Sequence, residues 1–162
     1  MASSDETRAL ALIAALTEVE KVRAISRNAR GKSELVELAA LRKIATLEAQ
    51  GEPGTVENDC WRMILAVEEI RRRVRGKRSP MNRLRPKIER EGERAALEYL
   101  ALNESDGFKE VLQYGVPELS AEVIVIHHGE PTFTSKAVDA ARHRLSEAGY
   151  DADKLVAAHG AT

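Results

Sequence analysis

Between Thr55 and Gly76 the apolar residues Cys60, Ile64, Val67, Ile70 and Val74 recur at spacings of 4, 3, 3 and 4. That period puts them on one face of an α-helix, whereas a strand would divide them between two faces. A lone apolar stripe cannot stay in water, so this helix needs partners with stripes of their own. The chain supplies them. Leu35, Leu38, Leu41, Ile44 and Leu47 form a second stripe behind Ser33, an N-cap candidate with Glu34 and Glu37 in the following turn. Ile13, Leu16, Val19, Val22 and Ile25 form a third, in a helix expected to run from a cap at Ser4 or Asp5 to about Arg27. Gly31 and the GEPG turn at 51–54 separate the three, and Gly76 and Pro80 stop the last. Short turns between amphipathic helices predict a three-helix bundle over residues 1–79.

The remainder also reads as helix. A basic linker is expected over 80–87, overlapping the start of a fourth helix from about Pro86 to Leu102. Ser105 or Asp106 caps a short helix through Phe108, Val111 and Leu112 that ends at Gly115. Val123 to Ile126 is a β-branched run that suits a buried strand, but no other segment offers it a partner. A short buried helix is therefore expected from Ser120 to His128. Thr134 or Ser135 caps a last helix with Ala137, Val138, Ala141, Leu145 and Ala148 on its face, and the tail after Tyr150 is expected to fray. Aromatic residues are only 4% of the chain, so aliphatic side chains must fill the core. The fold class is all-α: the bundle, then a smaller acidic C-terminal helical unit over 88–162.

The net charge of −1 conceals a division. Residues 1–90 hold 19 Lys and Arg against 13 Asp and Glu, and residues 91–162 hold 6 against 13. The excess concentrates in Arg71–Lys87, where nine of seventeen residues are Lys or Arg and none is acidic. Arg71, Arg75 and Arg78 share a face if the helix continues past Gly76. Cations at a helix C-terminus complement its dipole, which accounts for some of Arg71, Arg72, Arg75, Lys77 and Arg78. It does not account for Arg83, Arg85 and Lys87, which lie beyond the stop signal. Lys21, Arg23, Arg27, Arg30 and Lys32 form a second run where the first helix meets the second. In an up-down-up bundle both runs reach the same end. The candidate nucleic-acid contacts are therefore Arg27, Arg30, Lys32, Arg71, Arg72, Arg75, Lys77, Arg78, Arg83, Arg85 and Lys87. Neither run contains an aromatic residue, which favours duplex backbone contacts over stacking on single strands. Asn28 and Asn82 are placed to reach base edges, although each also suits a turn.

Other signals are weaker. GFKEVLQYGVPELSAEVIVIHH has the outline of a helix-turn-helix, but its second helix carries Val123–Ile126 and no Arg or Lys, which marks a core element. Gly31-Lys32-Ser33 resembles the end of a phosphate loop, yet Ser26 stands where the loop needs glycine and a helix precedes it. His127, His128 and Glu130 are the nearest approach to a metal set. Adjacent histidines are expected to point apart, His143 and His159 cannot be placed beside them, and no metal or cofactor is expected. Cys60, the only cysteine, lies on an apolar stripe and reads as an inert core thiol in a cytoplasmic protein. Trp61 beside it reads as core or as an anchor between helices. MASSDETRALALIAALTEVE lacks a basic leader, so it is expected to be a helix rather than a signal peptide. No nucleophile motif or Gly-rich cofactor loop is present.

The expected function is thus non-catalytic: a regulatory protein on nucleic acid, most simply duplex DNA. The acidic half would serve a protein partner or self-association, and no membrane is involved. The alternative is a helical adaptor or inhibitor that works through protein contacts alone.

Overall fold

The structure, a computed structural model, describes residues 2–161. Among them the regular elements are helices, with no strand. They are α1 Ser4–Ala15, α2 Val19–Ala29, α3 Glu34–Glu48, α4 Val56–Arg75, α5 Leu84–Glu91, α6 Glu93–Leu102, α7 Asp106–Tyr114, α8 Ala121–His128, α9 Ser135–Glu147 and α10 Ala152–Gly160, with a 3-10 turn at Pro117–Leu119. No described helix is long and apolar enough to cross a membrane.

The caps explain most of the boundaries. The side chains of Ser33, Thr55, Ser105, Ser120 and Thr134 accept from the backbone N–H three residues on, at the starts of α3, α4, α7, α8 and α9. The first cap is Ser3 rather than Ser4 or Asp5, because Glu6 reaches back to the Ser3 amide and closes a capping box. Gly76 and Gly115, both left-handed, end α4 and α7.

Three expectations about local structure need correction. The first helix is not continuous to Arg27: Leu16 and Glu18 are extended, and the chain turns between α1 and α2. A uniform spacing of three advances a stripe by roughly 60° per step, so one straight helix would carry Ile13 and Ile25 to different sides. The break lets both α1 and α2 pack on α3, around Ile13, Val22, Val36, Ala40 and Ile44. The second correction concerns the linker and fourth helix. Leu84 already opens α5, and Gly92 at φ 92 and ψ 168 separates α5 from α6. The third is the tail. Instead of fraying, it forms α10, capped by Asp151, and packs on α8 and the 3-10 turn with His159 buried. The Ser120–His128 segment is a short buried helix, α8.

The larger core is built around α4, which packs on α3, α6, α7 and α8. Cys60, Ile64, Val67 and Ile70 meet Leu41, Leu97, Val111, Leu119 and Ile124 there. Met81, Leu84 and Ile88 join the same cluster, so the segment around the basic linker is itself anchored in core. Because α4 is covered on several sides, it also buries Asn58, Asp59, Arg62 and Glu69. Each needs a polar partner, and those partners create the sites described below.

At Gly92 an added Cβ would meet no atom within 4 Å, so only the backbone conformation resists substitution. Gly92→Ala is expected to lower stability by about 1–3 kcal/mol in urea unfolding, because that region of φ/ψ belongs to glycine. An unchanged midpoint would show that the α5–α6 break does not need it.

Candidate functional site

The end of α2 and the end of α4 lie together. The Arg30 guanidinium donates to the Arg73 carbonyl at 3.2 Å. Arg23, Arg27, Arg30, Arg72, Arg73 and Tyr114 are among the residues lining a shared groove of about 640 Å³, together with Ser26, Glu37 and Glu69. Gly31 and Gly76, the turn residues that end the two helical runs, form part of its rim. Helix 4 stops at Gly76, so Arg78 does not continue the face of Arg71 and Arg75.

The basic residues sort by burial into two sets. Arg71, Arg73, Arg85 and Lys87 are half-buried and each has an acidic partner. Arg71 binds Glu110 of α7 through two nitrogens, at 2.8–3.1 Å. Arg73 pairs with Glu69 and donates to the Glu37 carbonyl and the Tyr114 hydroxyl. Arg85 grips Glu68 at 2.6 and 2.7 Å and lies over the Trp61 ring, which makes Trp61 the anchor of the α4–α5 connection. Lys87 pairs with Glu91 and covers Tyr99. From the other run, Arg23 contacts Glu20, Glu48 and Glu69, and Lys21 pairs with Glu18.

The second set is exposed: Arg27, Arg30, Lys32, Arg72, Arg75, Lys77, Arg78 and Arg83. None of these makes an ion pair with a described carboxylate; Arg75 donates only to Ser79 and Arg30 only to the Arg73 carbonyl. Arg27, Arg30 and Arg72 line the groove, Arg75 lines a neighbouring one with Asp106 and Glu110, and Lys77, Arg78 and Arg83 follow in the chain beyond Gly76. An exposed guanidinium or ammonium in this setting is a ready donor to an anion. The groove does have one aromatic residue, Tyr114, which α7 brings from the acidic half. Its ring lies beneath Arg73 at 5.9 Å and its hydroxyl accepts from the same residue, so it braces the groove wall. At the phosphate-loop-like Gly31-Lys32-Ser33, the Ser33 hydroxyl donates to Glu6 at 2.7 Å, so the start of α3 already faces an anion of its own chain.

A second polar constellation surrounds the other end of α4. Asp59 is only 3% exposed, and His128 Nε2 lies 2.7 Å from its Oδ2. His159 Nε2 lies 3.3 Å from the same oxygen, and Arg62 lies 3.5 Å from Oδ1. Burial opposes ionisation of Asp59, but the histidine contacts outweigh it and hold the carboxyl well below its ordinary range. The His127 ring centroid is 4.9 Å from that of His128 and 5.2 Å from that of His159. The expectation that neighbouring histidines point apart is therefore corrected: both close on α4, where Asp59 draws them in. Burial, with His159 and His128 close by, lowers the His127 pKa from 6.5. Glu130 is exposed just beyond this cluster, at the turn after Gly129. Sequence spacing could not have found Asp59 and His159, which join from segments 69 and 31 residues away from His128 along the chain. Cys60 beside Asp59 is fully buried, and that burial pushes its thiol up, out of reach of nucleophilic chemistry.

Comparison with protein-family models, with curated proteins and with solved structures finds no match to this chain.

Glu68 controls how the basic segment leaves α4. It accepts from Arg85 and from the Met81 amide. Burial alone would raise its pKa from 4.5, but those donors lower it. A depressed carboxylate pKa gives stability that is complete above its unfolded value and is lost as pH falls through the folded one. Glu68→Gln is therefore expected to flatten the fall in urea-unfolding stability below about pH 4.5, compared with the unsubstituted protein. An unaltered acid limb would show that Glu68 is not held by these bonds.

Proposed function

We propose that the protein binds the phosphate backbone of a nucleic-acid duplex, most simply DNA, through the exposed cations where α2 and α4 end together. One observation carries the reading. Arginines from runs some forty residues apart line one groove, and the exposed members face water without carboxylate partners. Like charges held together repel, and a polyanion relieves that repulsion while releasing its counterions. Arg27, Arg30, Lys32, Arg72, Arg75, Lys77, Arg78 and Arg83 are the proposed phosphate contacts. Arg71, Arg85 and Lys87 hold the surface in place through their internal pairs.

A duplex suits the surface better than a single strand. Tyr114 is the groove's aromatic residue, and Arg73 already engages it through its hydroxyl and ring. Stacking of unpaired bases needs a bare aromatic face. On this reading the protein is regulatory and non-catalytic. The N-terminal helices α1–α4 carry most of the basic pole, and the acidic C-terminal unit, residues 88–162, meets a protein partner or a second copy.

Fluorescence anisotropy with a short labelled duplex tests the proposal across a salt series. A surface that neutralises about five phosphates gives a log–log salt slope of about −4 to −5. Arg27→Glu with Arg72→Glu is expected to weaken binding at least about tenfold. Arg142→Glu with Lys154→Glu makes the same change of net charge on α9 and α10 and is expected to leave affinity near its original value. No duplex affinity at low salt would overturn the reading and favour a helical adaptor that docks the same arginines on an acidic protein.

A further inference from the structure

We infer that Asp59, His127 and His128, with His159 beside them, form a binding site for a borderline divalent transition metal of the Zn²⁺ class. Three helices bring the donors together: Asp59 from the first turn of α4, His127 and His128 from the last turn of α8, and His159 from α10. One ligand atom each from Asp59, His127 and His128 lies within 4.8 Å of the other two. Ligand atoms bound at about 2.0–2.1 Å around a tetrahedral ion sit roughly 3.3 Å apart. The 3.3 Å from His159 Nε2 to Asp59 Oδ2 fits that spacing, and the 2.7 Å from His128 Nε2 is somewhat shorter.

The orientation of His159 is a second, independent sign. Its Nδ1 lies 3.1 Å from the Glu118 carbonyl, which can only accept, so Nδ1 carries the proton and donates. Its Nε2 then faces Asp59 Oδ2 at 3.3 Å. A histidine whose far nitrogen donates to a backbone carbonyl is the usual arrangement of a metal-ligating imidazole. On the far side of the carboxylate, Arg62 approaches Oδ1, which leaves Oδ2 directed at the histidines.

The donor chemistry sets the class of ion. Imidazoles with one carboxylate suit Zn²⁺, Co²⁺ or Ni²⁺, whereas Mg²⁺ and Ca²⁺ call for oxygen ligands. Asp59 is buried, His128 is half-buried and His127 is exposed, so an ion has an approach from the His127 side. The site lies near the start of α4 and the basic groove near its end, about 20 Å apart along the helix axis. The two proposals are therefore independent.

The test uses the full chain, stripped with chelator and titrated with Co²⁺ and then Zn²⁺ against a chromophoric competitor. One equivalent is expected to bind, with visible Co²⁺ absorption bands that Zn²⁺ displaces and excess Mg²⁺ does not. His127→Ala and His127→Gln, at an exposed position, are expected to keep native helicity by circular dichroism while weakening binding by at least about tenfold. His128→Ala should do the same. His143→Ala removes the exposed His143–Glu147 pair on α9, a rival surface site, and is expected to change nothing. The inference is overturned if the unsubstituted protein binds no Co²⁺ or Zn²⁺. It is also overturned if binding survives the His127 and His128 substitutions, or is lost with His143→Ala.

Discussion

A helix covered on several sides must bury polar residues as well as apolar ones, and the structure depends on how α4 does so. Its apolar face joins α3 to the helices of the C-terminal half. Its remaining faces carry Asn58, Asp59, Arg62 and Glu69 into places where water cannot reach them freely. A buried polar group without a partner costs about as much as several good contacts return. Each is therefore met. Asn58 donates to the Gln50 and Gly51 carbonyls and fixes the turn before the helix. Glu69 draws in Arg23 from α2 and pairs with Arg73 one turn further along α4. Asp59 draws in histidines from two more. Away from α4, Glu122 on α8 is 1% exposed and is met by Arg144 of α9 at 2.6 Å.

These internal pairs decide which cations remain outside. Along Arg71–Lys87 the charge looks uniform in the sequence, but the fold divides it. Residues whose stems run along the protein surface meet Glu68, Glu69, Glu91 or Glu110 and become structural. Arg72, Arg75 and Lys77, at the end of α4 and in the turn beyond it, make no ion pair with a described carboxylate and stay exposed. The acidic half thus neutralises part of the basic run within the chain, through Arg71 and Glu110. It also contributes Tyr114 to the wall of the basic groove. The two segments of opposite charge meet without cancelling each other.

Much of this was legible in the sequence where the signal is local. The stripes of α3 and α4, the caps at Ser33, Thr55, Ser105 and Thr134, and the stop at Gly76 follow from spacing and side-chain chemistry within a few residues. The break at Leu16–Glu18 has no Gly or Pro to mark it; it arises because α1 and α2 must both reach α3. Gly92 sits in a charged run and carries a backbone conformation that composition does not announce. The tail looked weak as an isolated helix, but packing on α8 orders α10. The cluster at Asp59 was the least legible feature. It assembles from α4, α8 and α10, and no local pattern connects them. A carboxylate in the polar positions of a helix reads as solvated until the neighbours that bury it are known.

The central claim is that cations remote in the chain act as one phosphate-binding surface. The most direct measurement is a titration of isotopically labelled protein with a short duplex, followed through backbone amide resonances. The account predicts shifts at residues 27–32 and at residues 72–78 that share one dissociation constant, with little change on α9 and α10. Shifts confined to one of the two runs, or centred on the acidic helices, would contradict it.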